Sequence, residues 1–366
     1  MANSINIVQC PYKTLPKSAY WRHAVGEVSP QDINPVTKTS FQLTKATRIA
    51  TAGSCFAQHI ARHLRNSGGT YLVTEPGHTL LDDQNRQEFN YSTFTARFGN
   101  IYTTRQLLQL LNRAYGLIRA SDDIWEEGDG SFIDPFRPFI QPGGFKSRAE
   151  FDADRNQHYK AVRQMVETAD VFVFTMGLTE AWENTTDGMI YAACPGCGAG
   201  KHVAGESRFR NFKVSEVCED LAAAIDFMRA KNPNLRFLLT VSPVPLVATY
   251  SGKHVLSATT YSKSVLRVAA EMIADSHHNV DYFPSYEIIT GSFNRGAYYS
   301  SNLRDVEELG VRHAMAVFFK NYCKGMTLQQ DQGQLEKISQ VSRESLEESR
   351  SDRVSKVICD EERLED

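Results

Sequence analysis

The sequence predicts an α/β protein built as a three-layer α/β/α domain with a central parallel sheet and loop-rich insertions. Three observations predict it. Short apolar runs recur at Arg48-Ile-Ala-Thr-Ala-Gly53, Asp170-Val-Phe-Val-Phe-Thr175, 236–242 and 280–284, and their continuous rather than alternating pattern suits strands buried on both faces. Stretches with helical spacing separate them, the order expected of strand–helix crossovers. Gly, Ser, Thr and Pro gather directly after the runs, at Gly53-Ser54, 177–179 and Ser242-Pro243, where an open parallel sheet receives its ligands.

Residues 1–47 carry prolines at 11, 16, 30 and 35 and little periodicity, which predicts a segment wrapped around the domain with Tyr20 and Trp21 buried against it. After the run ending at Gly53, Ala57, Ile60, Ala61 and Leu64 fall at helical spacing, so the chain reads as strand, tight turn and helix. Ser54 sits in that turn. Its side chain can cap the helix, or it can be a nucleophile whose own N–H, with that of Cys55, offers an oxyanion donor. Cys55, as a thiolate at a helix N-terminus, is a second candidate nucleophile.

The run 70–73 reads as a strand and Glu75-Pro-Gly-His78 as a loop. Phe98-Gly-Asn-Ile-Tyr102 precedes an amphipathic helix over 104–115 capped by Thr103 or Thr104, so Gly99 and Asn100 lie in a loop at a helix start. From Gly116 to Arg155 the chain is rich in Gly, Pro, Asp and aromatics, too long for an ordinary connection, and reads as a lid or a substrate-facing insertion. Asp134 and Arg137 there read as a pair on its surface. A helix over 149–168 leads to the strand 170–175 and the motif Gly177-Leu-Thr-Glu-Ala-Trp182.

A second loop-rich insertion spans 183–212. It holds Cys194-Pro-Gly-Cys197, which with His202 offers three zinc ligands but lacks a second Cys or His pair nearby; zinc, a redox pair and a plain Pro-Gly turn are its three readings. A helix over 214–230 and a strand over 236–242 follow, the latter broken by Ser242-Pro-Val-Pro-Leu246. A loop over 247–260 carries His254. Helix 261–274, strand 280–284 and helix 311–322 complete a domain over 48–325, and residues 326–366, rich in Glu, Ser, Gln and Arg, read as a charged tail, helical or disordered.

With 366 residues, 42% of them apolar, the chain can bury a large core. Its formal charge of −3 gives no electrostatic reason for nucleic acid as a partner, and no run reaches the roughly 18 apolar residues of a membrane helix. An odd number of cysteines, seven, does not form a closed disulfide framework. The cytoplasm is the expected location, with no cofactor or metal expected and the oligomeric state left open.

Gly53-Ser-Cys-Phe-Ala57 resembles the motif that names the GSCFA domain family, a bacterial family similar to the SGNH/GDSL esterases and acyltransferases. The blocks Phe98-Gly-Asn-Ile-Tyr102, Phe174-Thr-Met-Gly-Leu-Thr-Glu-Ala-Trp182, Thr240-Val-Ser-Pro-Val-Pro-Leu246 and Tyr261-Ser-Lys-Ser-Val-Leu-Arg267 resemble the same family in the same order. The resemblance implies an SGNH/flavodoxin-like sheet, Ser54 as nucleophile, and an oxyanion hole from Ser54, the Gly99-Asn100 loop, Gly177 and Thr179. Thr179 and Glu180 stand where the superfamily has Asn-Asp, and Asn302 and Asp305 where it has the Asp and His of Asp-x-x-His. The serine's base is therefore His254, oriented by Asp305 or Glu180, or His313, or no histidine at all. The expected function is a serine esterase or O-acyltransferase on an acylated carbohydrate or small ester; the alternative is a non-hydrolytic carbohydrate- or ligand-binding protein on a degenerate scaffold of the same kind.

Overall fold

The computed structural model describes residues 10–54, 56–91, 93–326 and 328. Its strands are β1 (Arg48–Gly53), β2 (Thr70–Tyr71), β3 (Trp125–Glu126), β4 (Phe132–Ile133), β5 (Val171–Met176), β6 (Glu180–Asn184), β7 (Ser207–Asn211), β8 (Arg236–Val241) and β9 (Val280–Tyr282). Its α-helices are α1 (Ala57–Asn66), α2 (Asp83–Glu88), α3 (Thr104–Ala114), α4 (Arg148–Thr168), α5 (Val214–Lys231), α6 (Val255–Ser276), α7 (Ser285–Thr290) and α8 (Glu308–Tyr322).

Five strands form one parallel sheet in the order β2-β1-β5-β8-β9. The expected apolar runs become its strands because every residue of β5 is buried. Phe172, Phe174 and Met176 face a core built with α3, α4, α5 and α6, while Val171 and Val173 face the core of α1, α7 and α8. Helices thus cover both faces, and the three layers follow.

Strand order reverses between β1 and β5: from β1 the chain goes outward to β2 and then returns across β1 to start β5. In a doubly wound sheet such a reversal opens a crevice beyond the carboxyl ends of the two strands. Ser54 follows β1 and Gly177 follows β5, so both stand at this crevice.

Local chemistry explains most boundaries. Thr103 caps α3, accepting from the Gln106 N–H while the Gln106 carboxamide accepts from the Thr103 N–H, and Ser147 caps α4. α6 begins at Val255, six residues before the expected start, because His254 supplies the cap: its Nδ1 accepts from the Leu256 N–H at 3.2 Å. The two insertions are less irregular than their composition suggests, since β3 pairs with β4 and β6 with β7, both antiparallel.

The Asp134–Arg137 pair forms, but the expectation of a surface pair is corrected. Both side chains are buried, in a network that joins Arg137 to Asp154 at 2.8 Å, Arg97 to Asp154 at 2.7 Å, and Arg155 to Asp134 at 3.3 Å. His158 on α4 and Glu75 adjoin it, paired at 2.9 Å. A buried carboxylate is tolerable only when so surrounded; Phe136, whose N–H donates to Asp134 Oδ1 at 3.1 Å, packs with Trp125 and with Met189 and Tyr191 of the second insertion.

The N-terminal segment also departs from expectation. Phe41 and Leu43 enter the core beside α8, with Leu43 paired to Tyr322 and Lys324 through its backbone, yet Trp21 remains 71% exposed. The tail expected over 326–366 lies outside the described residues apart from Met326 and Leu328. Among the described residues no helix is long and apolar enough to cross a membrane.

Candidate active site

The site is set by how β1 ends. Gly53 has φ +136°, and a Cβ built on it would stand 2.2 Å from the Thr175 carbonyl oxygen, so only glycine lets β1 lie this close to β5 and turn. Ser54 emerges from that turn 2% exposed. Its carbonyl accepts from the Ala57 N–H at 2.9 Å, but its side chain does not cap α1, which has no side-chain cap bond. The buried Ser54 Oγ has no hydrogen-bond partner among the described residues, and neither has Thr175 Oγ1 at the end of β5. Cys55, the other candidate nucleophile, lies outside the described residues.

Gly177 packs directly on the serine. A Cβ there would meet Ser54 Cβ at 3.1 Å and Tyr102 Cδ1 at 2.8 Å. Lys263, buried on α6, fixes this crossing by donating from Nζ to the Gly177 carbonyl at 2.5 Å.

The expected oxyanion hole is not assembled. The Ser54 N–H donates to the Thr175 carbonyl at 3.0 Å, continuing the ladder one residue past the strand, and the Gly177 N–H donates to Tyr102 at 2.9 Å. The Thr179 hydroxyl donates to Asn211 Oδ1 at 2.7 Å and its N–H to Ser262 Oγ at 2.9 Å. These donors are spent inside the protein because the loop after β5 must satisfy its own buried polar groups. Gly99 sits in the expected loop with φ +67°, a conformation that favours glycine, and a Cβ there would meet nothing within 4 Å. Asn100 is buried, its Oδ1 3.5 Å from Gln58 Nε2.

The expected bases do not meet Ser54 either. His254 is exposed and occupied at Nδ1 in capping α6. His313 is buried between the Tyr298 hydroxyl, 2.9 Å from Nδ1, and the Ile33 carbonyl, 2.8 Å from Nε2; its Nε2 ties the N-terminal segment to α8, and its Nδ1 ties the Tyr298 loop there. Asp305 is exposed and paired with Asn302 Nδ2 at 2.9 Å, in a surface turn where the two residues bond each other rather than a histidine.

Glu180 is placed otherwise. It lines a cavity of about 510 Å³ bounded by Tyr102, Leu178, Trp182, Tyr191, Phe209 and Tyr250. Its carboxylate accepts from the Thr249 hydroxyl at 2.6 Å and the Tyr250 N–H at 3.4 Å; burial pushes its pKa up, with those two bonds opposing. Tyr102 and Leu178 lie between this cavity and the Gly177–Ser54 contact. The cavity and Lys263 were not foreseen from sequence. Lys263 could have been, because it falls in the buried phase of α6 with Leu266 and Ala270.

Among the described residues no group of three or more His, Cys, Asp or Glu side chains is arranged to hold a metal ion. His202 turns to the Trp182 ring, 5.2 Å between centroids, and to Ser207.

A model of the GSCFA family matches residues 48–318. No curated protein sequence matches the chain. Among solved structures it is similar to the Clostridium thermocellum family 3 carbohydrate esterase, with 12% sequence identity over 76% of this chain and 95% of that chain and a TM-score of 0.32, too low for the likeness to carry an argument.

Proposed function

Because the chain belongs to the GSCFA family, we propose that it is a serine esterase or O-acyltransferase of SGNH-like type, with Ser54 as nucleophile and an acylated carbohydrate or small ester as substrate. The observation that carries this reading is the Ser54 hydroxyl, buried without a partner among the described residues at the strand-order reversal. A buried hydroxyl left unpaired costs about 1–3 kcal/mol, a cost a packing residue would have shed as alanine.

The cavity beyond Tyr102 supports the substrate class. Aromatic rings offer faces for a sugar ring, and Glu180 offers an acceptor for its hydroxyls. Ser54 Oγ would attack the acyl carbonyl, its proton passing through a base to the substrate alcohol that departs as the ester bond breaks, and the acyl group on Ser54 would then move to water or to an acceptor alcohol, returning the proton to Oγ. Since the Ser54, Gly177 and Thr179 donors are already spent, turnover on this reading requires substrate to displace Tyr102 from over Gly177 and release amides toward the oxyanion.

A second reading is a ligand-binding protein without hydrolysis. The placement of His254 and His313 away from Ser54 favours it. A fluorophosphonate probe and a panel of aryl esters and acetylated sugars separate the two. Covalent labelling at Ser54, with turnover lost in Ser54→Ala, is the result expected of an esterase or acyltransferase. No label, no turnover above background, and ligand-induced thermal shifts that survive Ser54→Ala would overturn it in favour of binding.

A further inference from the structure

Cys194-Pro-Gly-Cys197 takes no part in the Ser54 site. It forms a tight turn: the Cys197 N–H donates to the Cys194 carbonyl at 3.0 Å, with proline second and Gly196 third at φ +89°, the pattern of a type II turn. Such a turn holds its first and fourth Cα atoms within about 7 Å, inside the range from which a disulfide can close. The Cys194 thiol stays at the turn, its Sγ 3.6 Å from the Pro195 carbonyl oxygen. Both cysteines are half-buried and both line the 510 Å³ cavity, so a small reagent can reach them.

We propose that Cys194 and Cys197 are a dithiol–disulfide site in the cavity wall, closed within the turn by exchange with a small-molecule disulfide. In the first step the Cys197 thiolate attacks one sulfur of the reagent RSSR, forming a Cys197–S–SR mixed disulfide and releasing RS⁻. In the second, Cys194 gives its proton to solvent and attacks Cys197 Sγ, expelling a second RS⁻. The two cysteines lose two electrons and two protons, and RSSR gains them as two RSH.

The surroundings favour the closed form over isolated thiolates. Burial and the neighbouring Cys197 push the Cys194 thiol up to about 12, so the reduced form draws no stability from ionisation there, unlike strongly oxidising dithiols whose reduced form is stabilised. The turn adds preorganisation, because Gly196 at φ +89° and the Cys197 N–H to Cys194 carbonyl bond hold the ends of the turn together before any cross-link forms. His202, the third ligand a metal would require, is engaged with Trp182 and Ser207. The proposal is independent of the esterase reading, since it uses neither Ser54 nor turnover.

The test is redox titration of the full chain in buffers of reduced and oxidised glutathione, followed by acid quench, alkylation under denaturing conditions and mass mapping. The expected product has lost two hydrogens and two alkylation sites, with the cross-link mapped to Cys194 and Cys197 and reversed by dithiothreitol. Cys218 and Cys323 should still be alkylated. If Cys194 and Cys197 are both alkylated throughout, or each carries glutathione without a cross-link, the proposal falls. Gly196→Ala supplies the second arm: with φ positive and its Cβ 3.1 Å from the His202 N, it should shift the equilibrium toward dithiol about tenfold while leaving the melting temperature within a few degrees. An unchanged equilibrium would show that the turn does not govern the pair.

Discussion

Ser54 and Ser242 stand at equivalent places in the sheet and meet opposite fates. Each is the first residue past a strand flanking β5, each is almost wholly buried, and each donates its N–H to a β5 carbonyl, Ser54 to Thr175 and Ser242 to Met176. The Ser242 hydroxyl then accepts from the Val244 N–H at 3.3 Å, closing a local turn across Pro243. The Ser54 hydroxyl accepts and donates nothing among the described residues. Depth and register are therefore not what distinguishes a candidate nucleophile from a structural serine. The difference is whether the following loop supplies a partner, and at Ser54 the chain enters a helix that is not capped by that side chain.

The comparison can be tested through stability, beginning with the glycine that creates it. Gly53→Ala would place a methyl on the Thr175 carbonyl in a backbone conformation alanine resists, so it should cost more than about 4 kcal/mol and lower the melting temperature by roughly 10 °C or more. Thermal denaturation of the purified variant measures this; a drop of only a degree or two would mean that the β1–β5 approach is not rigid.

Next comes the network that marks the fully engaged extreme of buried polarity. Arg137→Met takes from Asp134 and Asp154 the partner they share, leaving Arg155 and Arg97 to hold them, and should cost about 3 kcal/mol by denaturant titration. The same network sets the acid response. Against the cost of burial, His158, Arg137 and the Arg97 N–H hold Glu75 at about 2, below its ordinary 4.5, so its contribution is complete above pH 4.5 and disappears as pH falls through about 2. Burial holds His158 below its ordinary 6.5; the unfolded chain takes up that proton first, and stability begins to erode below pH 6.5. Melting temperature should be least sensitive to pH just above 6.5 and fall below it, and Glu75→Gln should flatten the part of the fall between 4.5 and 2.

The smallest effects separate the two serines directly. Ser242→Ala should cost about 1 kcal/mol through its lost bond to Val244, visible as a shift of a few degrees. Ser54→Ala should be neutral or stabilising by up to about 1 kcal/mol, because it removes a buried hydroxyl that pairs with nothing among the described residues. If Ser54→Ala proves the more destabilising of the two, the hydroxyl has a structural partner in solution and the contrast collapses.

What the sequence determined by itself was local. Continuous apolar runs and helical spacing identified β1, β5, β8 and β9 of the parallel sheet and the main helices, because burial on both faces and on one face leave different periods in the chain. The turn at Gly53-Ser54, the glycines at 99 and 177 and the Thr103 cap were legible for the same reason, as each reflects backbone conformation within a few residues. The tertiary structure decided everything that depends on which distant groups meet. Asp134 and Arg137 paired as their spacing suggested, but only the tertiary packing that brought Arg97, Asp154 and Arg155 to them made the pair part of a buried network. His254 looked like a free loop imidazole until α6 began one residue after it and took its Nδ1 as a cap. Thr179 looked like an oxyanion donor until β7 brought Asn211 to its hydroxyl. Hydrogen-bond demand in a buried site is met by whatever the fold places within about 3 Å, and that distance is set by strand order and helix packing, which a linear pattern does not contain.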